Sequence, residues 1–216
     1  MTRTHRDTWL FWLFALLILG AGLGLRDPWP ADEPRFALVA KQMVESGDFL
    51  FPHRGGELYP DKPPLYFWIL ALAHAVIGSW RWSFLLPSLL AGLGTLACTW
   101  DLGRRLWTPR AGLWAAIAVL ASFQFVYQFK RAQIDPTLVF FTTVAFYGLC
   151  RHLLLGPAWR WFWGGCFAAG LGVISKGVGF LPLLILIPYG VLRRRGWQGL
   201  AIIPRGGWRW ASAPLG

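Results

Sequence analysis

The chain has 216 residues, of which 56% are hydrophobic and only 14% are charged, and its mean hydropathy is +0.45. Soluble domains carry roughly 25% charged residues, so this deficit, together with several apolar runs of near-spanning length, indicates a membrane protein. The formal net charge of +11 does not indicate a nucleic-acid partner, because the basic residues are scattered over short loops between apolar runs.

The first apolar run covers residues 9–25 and follows Arg3 and Arg6. A cleavable signal peptide is the alternative interpretation, but the apolar core of such a peptide is usually only about 7–15 residues long. No good small-residue cleavage site precedes Arg26. We therefore expect a retained first spanning helix.

Residues 26–82 are predicted to be one long loop between spanning helices, and residues 32–66 are the long polar interval of the chain. Seven of the chain's ten acidic residues lie between positions 27 and 61. Within it, residues 32–47 have apolar side chains at helical spacing, which predicts a short amphipathic helix on the membrane surface. Asp32 is placed to cap this helix and Gly47 to end it. Prolines and glycines predict a loop over 48–63. We expect the apolar run 64–79 to lie in the interface, or to dip into the membrane and return.

Five further apolar runs are each near the length needed to cross roughly 30 Å of hydrocarbon. They are residues 83–101, 111–129, 136–155, 160–174 and 178–192. The sequence therefore predicts an all-α, polytopic membrane bundle over residues 1–192, with about six spanning helices and juxtamembrane helices beside them. Residues 193–216 are predicted to be a disordered, basic cytoplasmic tail.

The distribution of charge predicts the topology. If 64–79 does not cross, 12 of the 21 lysines and arginines lie on the side of the termini, together with only two of the ten acids, Asp7 and Asp101. Cytoplasmic loops of membrane proteins are enriched in lysine and arginine. We therefore expect both termini in the cytoplasm and the two acidic clusters, 32–61 and Asp135, together on the outer face.

Three carboxylates on that face are candidates for chemistry. Asp32 and Glu33 come where the first helix leaves the membrane, and either a structural cap or a general base fits their position. Asp135 precedes a proline at a helix start, which is also a capping position. Ionisable residues at membrane depth are nevertheless functional candidates by default.

Three cations accompany these acids. Lys62 lies in the segment Asp61–Lys62–Pro63–Pro64, where the prolines hold the backbone just before an apolar run. It can be an interface residue whose charged end reaches water, or a point charge for a phosphate. Arg131 and Lys176 lie in other short outer loops and can join Lys62 around one phosphate.

An ordered set of motifs now suggests a family. The motifs are DEPRFA (32–37), YPDKPPLYFW (59–68), RRLW (104–107), RAQIDPTLVFF (131–141) and SKGVGFLP (175–182). In order and spacing they resemble the integral-membrane glycosyltransferases of the aminoarabinose (lipid A) transferase and protein O-mannosyltransferase superfamily. The resemblance implies a GT-C fold in the bacterial inner membrane with a periplasmic active face. It also implies a polyprenyl-phosphate-linked sugar donor and a lipid, glycan or protein acceptor such as lipid A.

The resemblance also implies roles for the candidate residues. Asp32, Glu33 and Asp135 match the catalytic acids, while Lys62, with Arg131 and Lys176, is expected to bind the donor phosphate. Asp61 matches an acid associated with a divalent metal in some members. Because members continue with further helices and usually a soluble domain, we expect this chain to be an N-terminal portion, either truncated or minimal. A non-catalytic fragment or partner subunit, or a small carrier of polyprenyl lipid, remains an alternative.

Overall fold

The computed structural model describes residues 3–30 and 32–196, and in these ranges the chain is almost entirely helical. The predicted tail therefore lies, from residue 197 onward, outside the described residues. The helices are α1 (Arg3–Gly20), α2 (Asp32–Ser46), α3 (Leu65–Ile77), α4 (Trp80–Ser83), α5 (Leu86–Leu106), α6 (Pro109–Ala121), α7 (Phe123–Phe129), α8 (Ile134–Leu155), α9 (Trp159–Lys176) and α10 (Leu186–Arg194), with a 3₁₀ helix at Leu181–Ile185. The predicted all-α class is confirmed.

Two short strands form a hairpin in the segment predicted as loop. β1 (His53–Arg54) pairs antiparallel with β2 (Glu57–Leu58). Gly55 and Gly56 connect them with φ of 64° and 88°. Two consecutive residues at positive φ are what a tight two-residue hairpin turn requires, and glycine adopts them without steric cost.

The long helices run alternately between two ends of the bundle. The rings of Trp12 in α1 and Trp100 in α5 lie 6.2 Å apart, while Leu19 packs where α5 begins, at Gly92, so these helices are antiparallel. Helix α8 runs parallel to α5, because the Ser88 hydroxyl donates to the Arg131 carbonyl at one end and the Tyr147 hydroxyl to Asp101 at the other. At 1.5 Å per residue, the thirteen steps along α5 from Ser88 to Asp101 span about 20 Å.

The same reasoning orients the remaining helices. Helix α6 begins beside the last turn of α5, where Gly112 packs on Gly103. Helix α7 ends near the start of α8, where Gln128 donates to Asp135. Helix α9 returns antiparallel to α8, because Lys176 at its end pairs with Asp135 at the start of α8 while Gly148 packs on Gly165. Tyr189 of α10 packs on Leu149 and Leu153 of α8. We call the end that holds Asp32 and Asp135 the carboxylate end, and the end that holds Arg104, Arg105 and Arg110 the arginine end.

Two of the described helices are long and apolar enough to cross a membrane: Trp80–Leu106, which joins α4 and α5, and Ile134–Leu155. Helices α6 and α7 make a third candidate only if they are taken together. The prediction of one continuous helix over 111–129 is wrong, since the chain bends there by 70°. Ser122 has an extended backbone (ψ 122°) at the break, a conformation and residue type typical of a helix start.

Two other predicted spans have different bounds in the structure. The run 9–25 is helical only to Gly20, because the chain then turns through Gly22 and Gly24, both at positive φ. The run 178–192 begins as a turn and a 3₁₀ helix, in which Pro182 occupies the first turn, before α10 starts. The run 160–174 lies within α9.

The chain between α1 and α5 leaves and re-enters the bundle at one place. Gly24, just after α1, packs so closely on the Trp82 indole that a Cβ at Gly24 would lie 2.5 Å from the ring. Between these points α2 buries Phe36, Val39 and Met43 against Tyr66 and Phe67 of α3. Each such apolar side chain contributes about 1.5–3 kcal/mol on burial. The α2–α3 layer therefore lies at the carboxylate end.

Candidate functional site

Asp32 is the first residue of α2, and its side chain contacts Gln133, which precedes α8. Its carboxylate accepts a hydrogen bond from Nη2 of Arg35 at 2.5 Å and from Nε2 of Gln133 at 3.2 Å. Its side chain is 40% exposed. A carboxylate has about four lone-pair positions, so two remain for another partner.

Glu33 is fully buried, although it neighbours Asp32 in sequence. Its oxygens accept from both terminal nitrogens of Arg26, at 2.6 and 2.8 Å. They also accept from the backbone N–H groups of Trp29 at 2.6 Å and Ala132 at 2.9 Å. These four donors fill the acceptor positions of the carboxylate. The group thus fastens the start of α2 to the turn before α8.

The hydrogen bonds of Glu33 also determine its ionisation. Burial raises the pKa of the carboxyl, but the hydrogen bonds from Arg26, Trp29 and Ala132 and the charge of Arg26 outweigh burial. The pKa is therefore below its ordinary value of 4.5. Glu33 is an anion at neutral pH even though it is buried.

Asp135 is the second partly exposed carboxylate of the carboxylate end. It forms an ion pair with Lys176 of α9 and accepts from Nε2 of Gln128 at 3.0 Å. Gln128 also donates to Oε1 of Gln133 at 3.0 Å. Because Gln133 donates to Asp32, the two carboxylates are joined through two glutamine side chains.

These contacts form one continuous chain of side chains, which we call the polar track. In order, it consists of Arg35, Asp32, Gln133, Gln128, Asp135 and Lys176. It connects α2, α7, the start of α8 and the end of α9. Three candidates from the sequence, Asp32, Asp135 and Lys176, thus lie in one network.

Arg131 lies beside the polar track. It donates from Nη1 to the Tyr127 hydroxyl at 3.0 Å and stacks over that ring at 5.3 Å. Its Nε is buried and, within the described part of the chain, has no hydrogen-bond partner. The Nε of Arg35 is in the same condition. Both guanidinium groups therefore keep a donor that nothing described in the protein satisfies.

The segment that holds Asp61 and Lys62 comes near the polar track at Tyr59. The Tyr59 ring is buried, and the Arg35 guanidinium lies 5.9 Å from its centre. The pKa of the Tyr59 hydroxyl is above its ordinary value, mainly because the group is buried. The charge of Arg35 opposes this rise and the charge of Asp61 adds to it. Lys62 is half-buried and, in the ranges 3–30 and 32–196, forms no ion pair.

No three His, Cys, Asp or Glu side chains among the described residues come close enough to share a metal ion. Asp61 itself is exposed. The described side chains alone thus supply no group of three such ligands, and the metal at Asp61 stays a prediction.

Sequence reasoning missed three residues that organise this end: Arg26, Gln128 and Gln133. Gln128 carried a signal, since an amide in the apolar run 111–129 is costly unless it is hydrogen-bonded. Gln133 lies in the motif RAQIDPTLVFF (131–141), but no role was predicted for it. Arg26 gave no signal beyond its position after the first apolar run, because its partner depends on how the loop folds.

A scan against family models matches residues 61–202 to the family described as dolichyl-phosphate-mannose-protein mannosyltransferase. The match includes Lys62, Arg131, Asp135 and Lys176, while Asp32 and Glu33 precede it. It covers more than half of the chain.

Among curated proteins, the chain is 31% identical over 218 residues to an undecaprenyl phosphate-alpha-4-amino-4-deoxy-L-arabinose arabinosyl transferase of Pseudomonas aeruginosa. The alignment covers 93% of this chain and 39% of that protein. A protein of the same name from Pseudomonas paraeruginosa is also 31% identical, with 92% and 38% covered. The chain thus spans about two fifths of the length of these relatives.

Among solved structures, the chain is similar to ArnT from Cupriavidus metallidurans. The crystal structure of ArnT bound to undecaprenyl phosphate aligns with a TM-score of 0.79 at 24% identity and covers 90% of this chain and 38% of that one. The apo structure aligns with a TM-score of 0.77 at 25% identity, with 87% and 36% covered. The helical arrangement described above is therefore the GT-C fold of ArnT.

Proposed function

The chain belongs to the dolichyl-phosphate-mannose-protein mannosyltransferase family of multi-pass membrane proteins, and we propose that it transfers a sugar from a polyprenyl-phosphate carrier to an acceptor. The proposed donor class follows the relatives, whose names specify an undecaprenyl-phosphate-linked aminoarabinose. The proposed location of the reaction is the periplasmic face of the bacterial inner membrane, with both termini in the cytoplasm. The acceptor is a lipid such as lipid A, or another glycan or protein.

One observation carries this proposal: the polar track joins two partly exposed carboxylates that are 103 positions apart in the sequence. Glycosyl transfer needs a group that removes a proton from the acceptor and groups that stabilise the departing phosphate. Carboxylates and cations at a single end of the bundle meet this need. A donor that arrives within the membrane can reach that end without a soluble nucleotide-binding domain.

In the proposed reaction, Asp32 accepts the proton of the acceptor hydroxyl or phosphate. The acceptor oxygen bonds to the anomeric carbon, and the bond from that carbon to the carrier phosphate breaks with its electron pair on the phosphate oxygen. The free lone pairs of Asp32 and its exposure support this role. The hydrogen bond from Gln133 orients the carboxylate.

The departing phosphate gains negative charge, and three cations are assigned to it. Lys62 is suited because no carboxylate of the described residues neutralises it. Arg131 keeps an unsatisfied Nε donor. Lys176 is shared with Asp135, which we assign to holding the sugar or to sharing the base function. Charge-assisted hydrogen bonds to phosphate are roughly twice as strong as neutral ones.

Glu33 receives a different role from the one expected from the sequence. Its four acceptor positions are all occupied, so it has no lone pair for a substrate. We assign it to positioning: it fastens α2 to the turn before α8 and thereby sets Asp32 against Gln133. We derive no step through a metal at Asp61.

The test is sugar transfer by the Asp32→Asn variant. The full chain is expressed in membranes that contain undecaprenyl-phosphate-linked 4-amino-4-deoxy-L-arabinose and lipid A, and modified lipid A is measured by mass spectrometry. We expect the variant to lose transfer by at least about a hundredfold, because a general base contributes roughly 10²–10⁴-fold. Membrane insertion should not change.

The matched control is Glu45→Gln, which removes one acidic charge from the same helix. Glu45 is exposed, and its ion pair among the described residues is with Lys41 at 3.6 Å. This variant should transfer at the wild-type rate. Equal activity of the Asp32→Asn variant and wild type refutes the role of Asp32. Absence of transfer by the wild-type chain supports the alternative, a non-catalytic membrane protein.

A further inference from the structure

A second polar region lies at the arginine end, about 20 Å from the polar track. There, α1, α5 and α6 enclose a cavity of about 750 Å³. Arg104, Arg105 and Arg110 line it, together with Trp100 and the cap residue Thr108. Nothing in the proposed sugar transfer uses this region.

The cavity carries more positive than negative charge. Asp101 accepts from Nε of Arg104 at 2.7 Å and from Nε of Arg105 at 2.5 Å. One carboxylate therefore serves two guanidinium groups. Arg110 is exposed and forms no ion pair with any residue that the structure describes. Each guanidinium has five N–H donors, so several remain directed to other partners.

An apolar groove of about 460 Å³ lies beside this cavity, between α1 and α6. Leu10, Phe14 and Ile18 of α1 form one wall, and Trp114 and Ile117 of α6 form the other. Neighbouring residues of both helices line the two spaces. On α1, Thr8 lines the cavity and the adjacent Asp7 lines the groove. On α6, Arg110 lines the cavity and the groove begins one turn later, at residue 113.

The mouth of the groove carries one acidic group, and its charge is compensated. The Asp7 carboxylate lies 3.9 Å from Nε of Arg6. Beyond it, the walls have exposed apolar side chains, with Phe14 60% and Trp114 67% exposed. The composite site therefore has a basic pocket for an anion and an apolar channel for a hydrocarbon chain.

We propose that this composite site binds one anionic phospholipid, with its phosphate among Arg104, Arg105 and Arg110 and one acyl chain between α1 and α6. Basic pockets between membrane helices on the cytoplasmic side are suited to anionic head groups. The charge distribution predicts that the arginine end is cytoplasmic. A free phosphate satisfies only the pocket, whereas a phospholipid satisfies both parts. The proposal does not depend on the sugar-transfer function.

The experiment measures lipid binding to the full chain in detergent by native mass spectrometry. Phosphatidylglycerol and the zwitterionic phosphatidylcholine, with the same acyl chains, are titrated separately. We expect phosphatidylglycerol to bind at least about tenfold more tightly, because both lipids carry a phosphodiester but only phosphatidylcholine adds a choline cation, which the three arginines repel. Equal affinity for the two lipids overturns the proposal.

The variant Arg110→Gln isolates the pocket without breaking the ion pairs of Asp101. It should weaken phosphatidylglycerol binding about tenfold and leave the thermal melting temperature unchanged. The matched control is Arg160→Gln at the start of α9, an exposed arginine on the same predicted side of the membrane but outside the cavity. If both variants bind phosphatidylglycerol equally well, the pocket is not the binding site.

A third arm separates a lipid site from a phosphate site. Soluble glycerophosphate and inorganic phosphate are added as competitors at equal concentration to bound phosphatidylglycerol. The groove predicts that neither displaces the lipid until it is at least about a hundredfold in excess. Displacement at equal concentration shows that the acyl chain contributes nothing and overturns the lipid assignment.

Discussion

Replacing Glu33 with glutamine tests the physical reasoning about the carboxylate end most directly. The side chain keeps its shape but loses its charge, and one of its two acceptor oxygens becomes an NH₂ donor. At least two of the four hydrogen bonds from Arg26, Trp29 and Ala132 are then lost. The hydrogen bond from Ala132 is buried and those from Arg26 and Trp29 are partly buried, and the side chain of Arg26 is only 17% exposed.

The size of the effect follows from this geometry. Removing one partner of a buried ion pair costs about 3–5 kcal/mol, because the remaining charge is left without compensation. Arg26 still donates to the Lys130 carbonyl at 2.8 Å, so the lower end of that range applies, about 3 kcal/mol. For a domain of this size, 1 kcal/mol shifts Tm by roughly 2–4 °C. We expect Glu33→Gln to lower Tm by roughly 6–12 °C.

The assay is thermal unfolding of the chain in detergent, followed by tryptophan fluorescence. Hydrogen exchange of the Trp29 and Ala132 amides is a local readout, and their protection should fall. The control Glu45→Gln removes a charge from an exposed pair on the same helix, where a salt bridge is worth about 0.3–0.5 kcal/mol. A Tm for Glu33→Gln within about 1 °C of that control contradicts the reasoning.

Three further changes are predicted. Lowering the pH below 4.5 should reduce the stability difference between wild type and Glu33→Gln. A carboxyl whose folded-state pKa is depressed contributes its full stability above its ordinary pKa, and this contribution is lost as the pH falls through the folded-state pKa. A difference in Tm that stays constant down to pH 3 contradicts this. Gln133→Leu should lower kcat for sugar transfer about tenfold to a hundredfold by releasing Asp32, since small misplacements cost up to about 10²-fold. The control Gln42→Leu should not lower kcat, because the Gln42 side-chain oxygen accepts from the Gly55 N–H and, among the described contacts, lies outside the polar track. Gly148→Ala should lower Tm, because a Cβ there overlaps the Trp161 carbonyl oxygen. On the facing helix, a Cβ at Gly164 meets nothing within 4 Å, so Gly164→Ala should stabilise the protein by about 0.5–1 kcal/mol. A change in Tm of the same sign for both variants contradicts the packing argument.

Much of the fold could be predicted from local patterns. The amphipathic helix predicted over 32–47 is α2, which ends at Ser46. Gly47, predicted to end this helix, follows it at φ 72°. The apolar spacing of Phe36, Val39 and Met43 is also the buried face of this helix. Such features depend only on residues a few positions apart, so a single sequence carries them.

The bounds of the apolar helices were harder to predict. Hydropathy alone could not show that 111–129 bends at Ser122, because the residues on both sides are equally apolar. It also could not show that α1 stops at Gly20, since the glycines that follow are compatible with an apolar run. After Gly20 the backbone follows its contacts with the rest of the bundle, as at Gly24 against Trp82.

The candidate site divides in the same way. Asp32, Asp135 and Lys176 were recognisable as polar groups at the ends of apolar runs, and the structure brings them into one network. Whether Asp32 or Glu33 keeps lone pairs for a substrate was not recognisable. The two acids are adjacent in sequence, but α2 turns one toward Gln133 and the other into the interior.

By itself, the sequence determined the class of this protein, where along the chain most of its apolar helices occur and which polar groups lie near their ends. These properties depend on local composition and on the cost of leaving charge in hydrocarbon. The tertiary structure decided which of those groups are used up and which stay available. Glu33 is saturated by donors from Arg26 and Ala132, and Asp32 and Asp135 are linked through Gln133 and Gln128. A hydrogen bond depends on distance and direction in space, and only the packing of helices brings together residues a hundred positions apart.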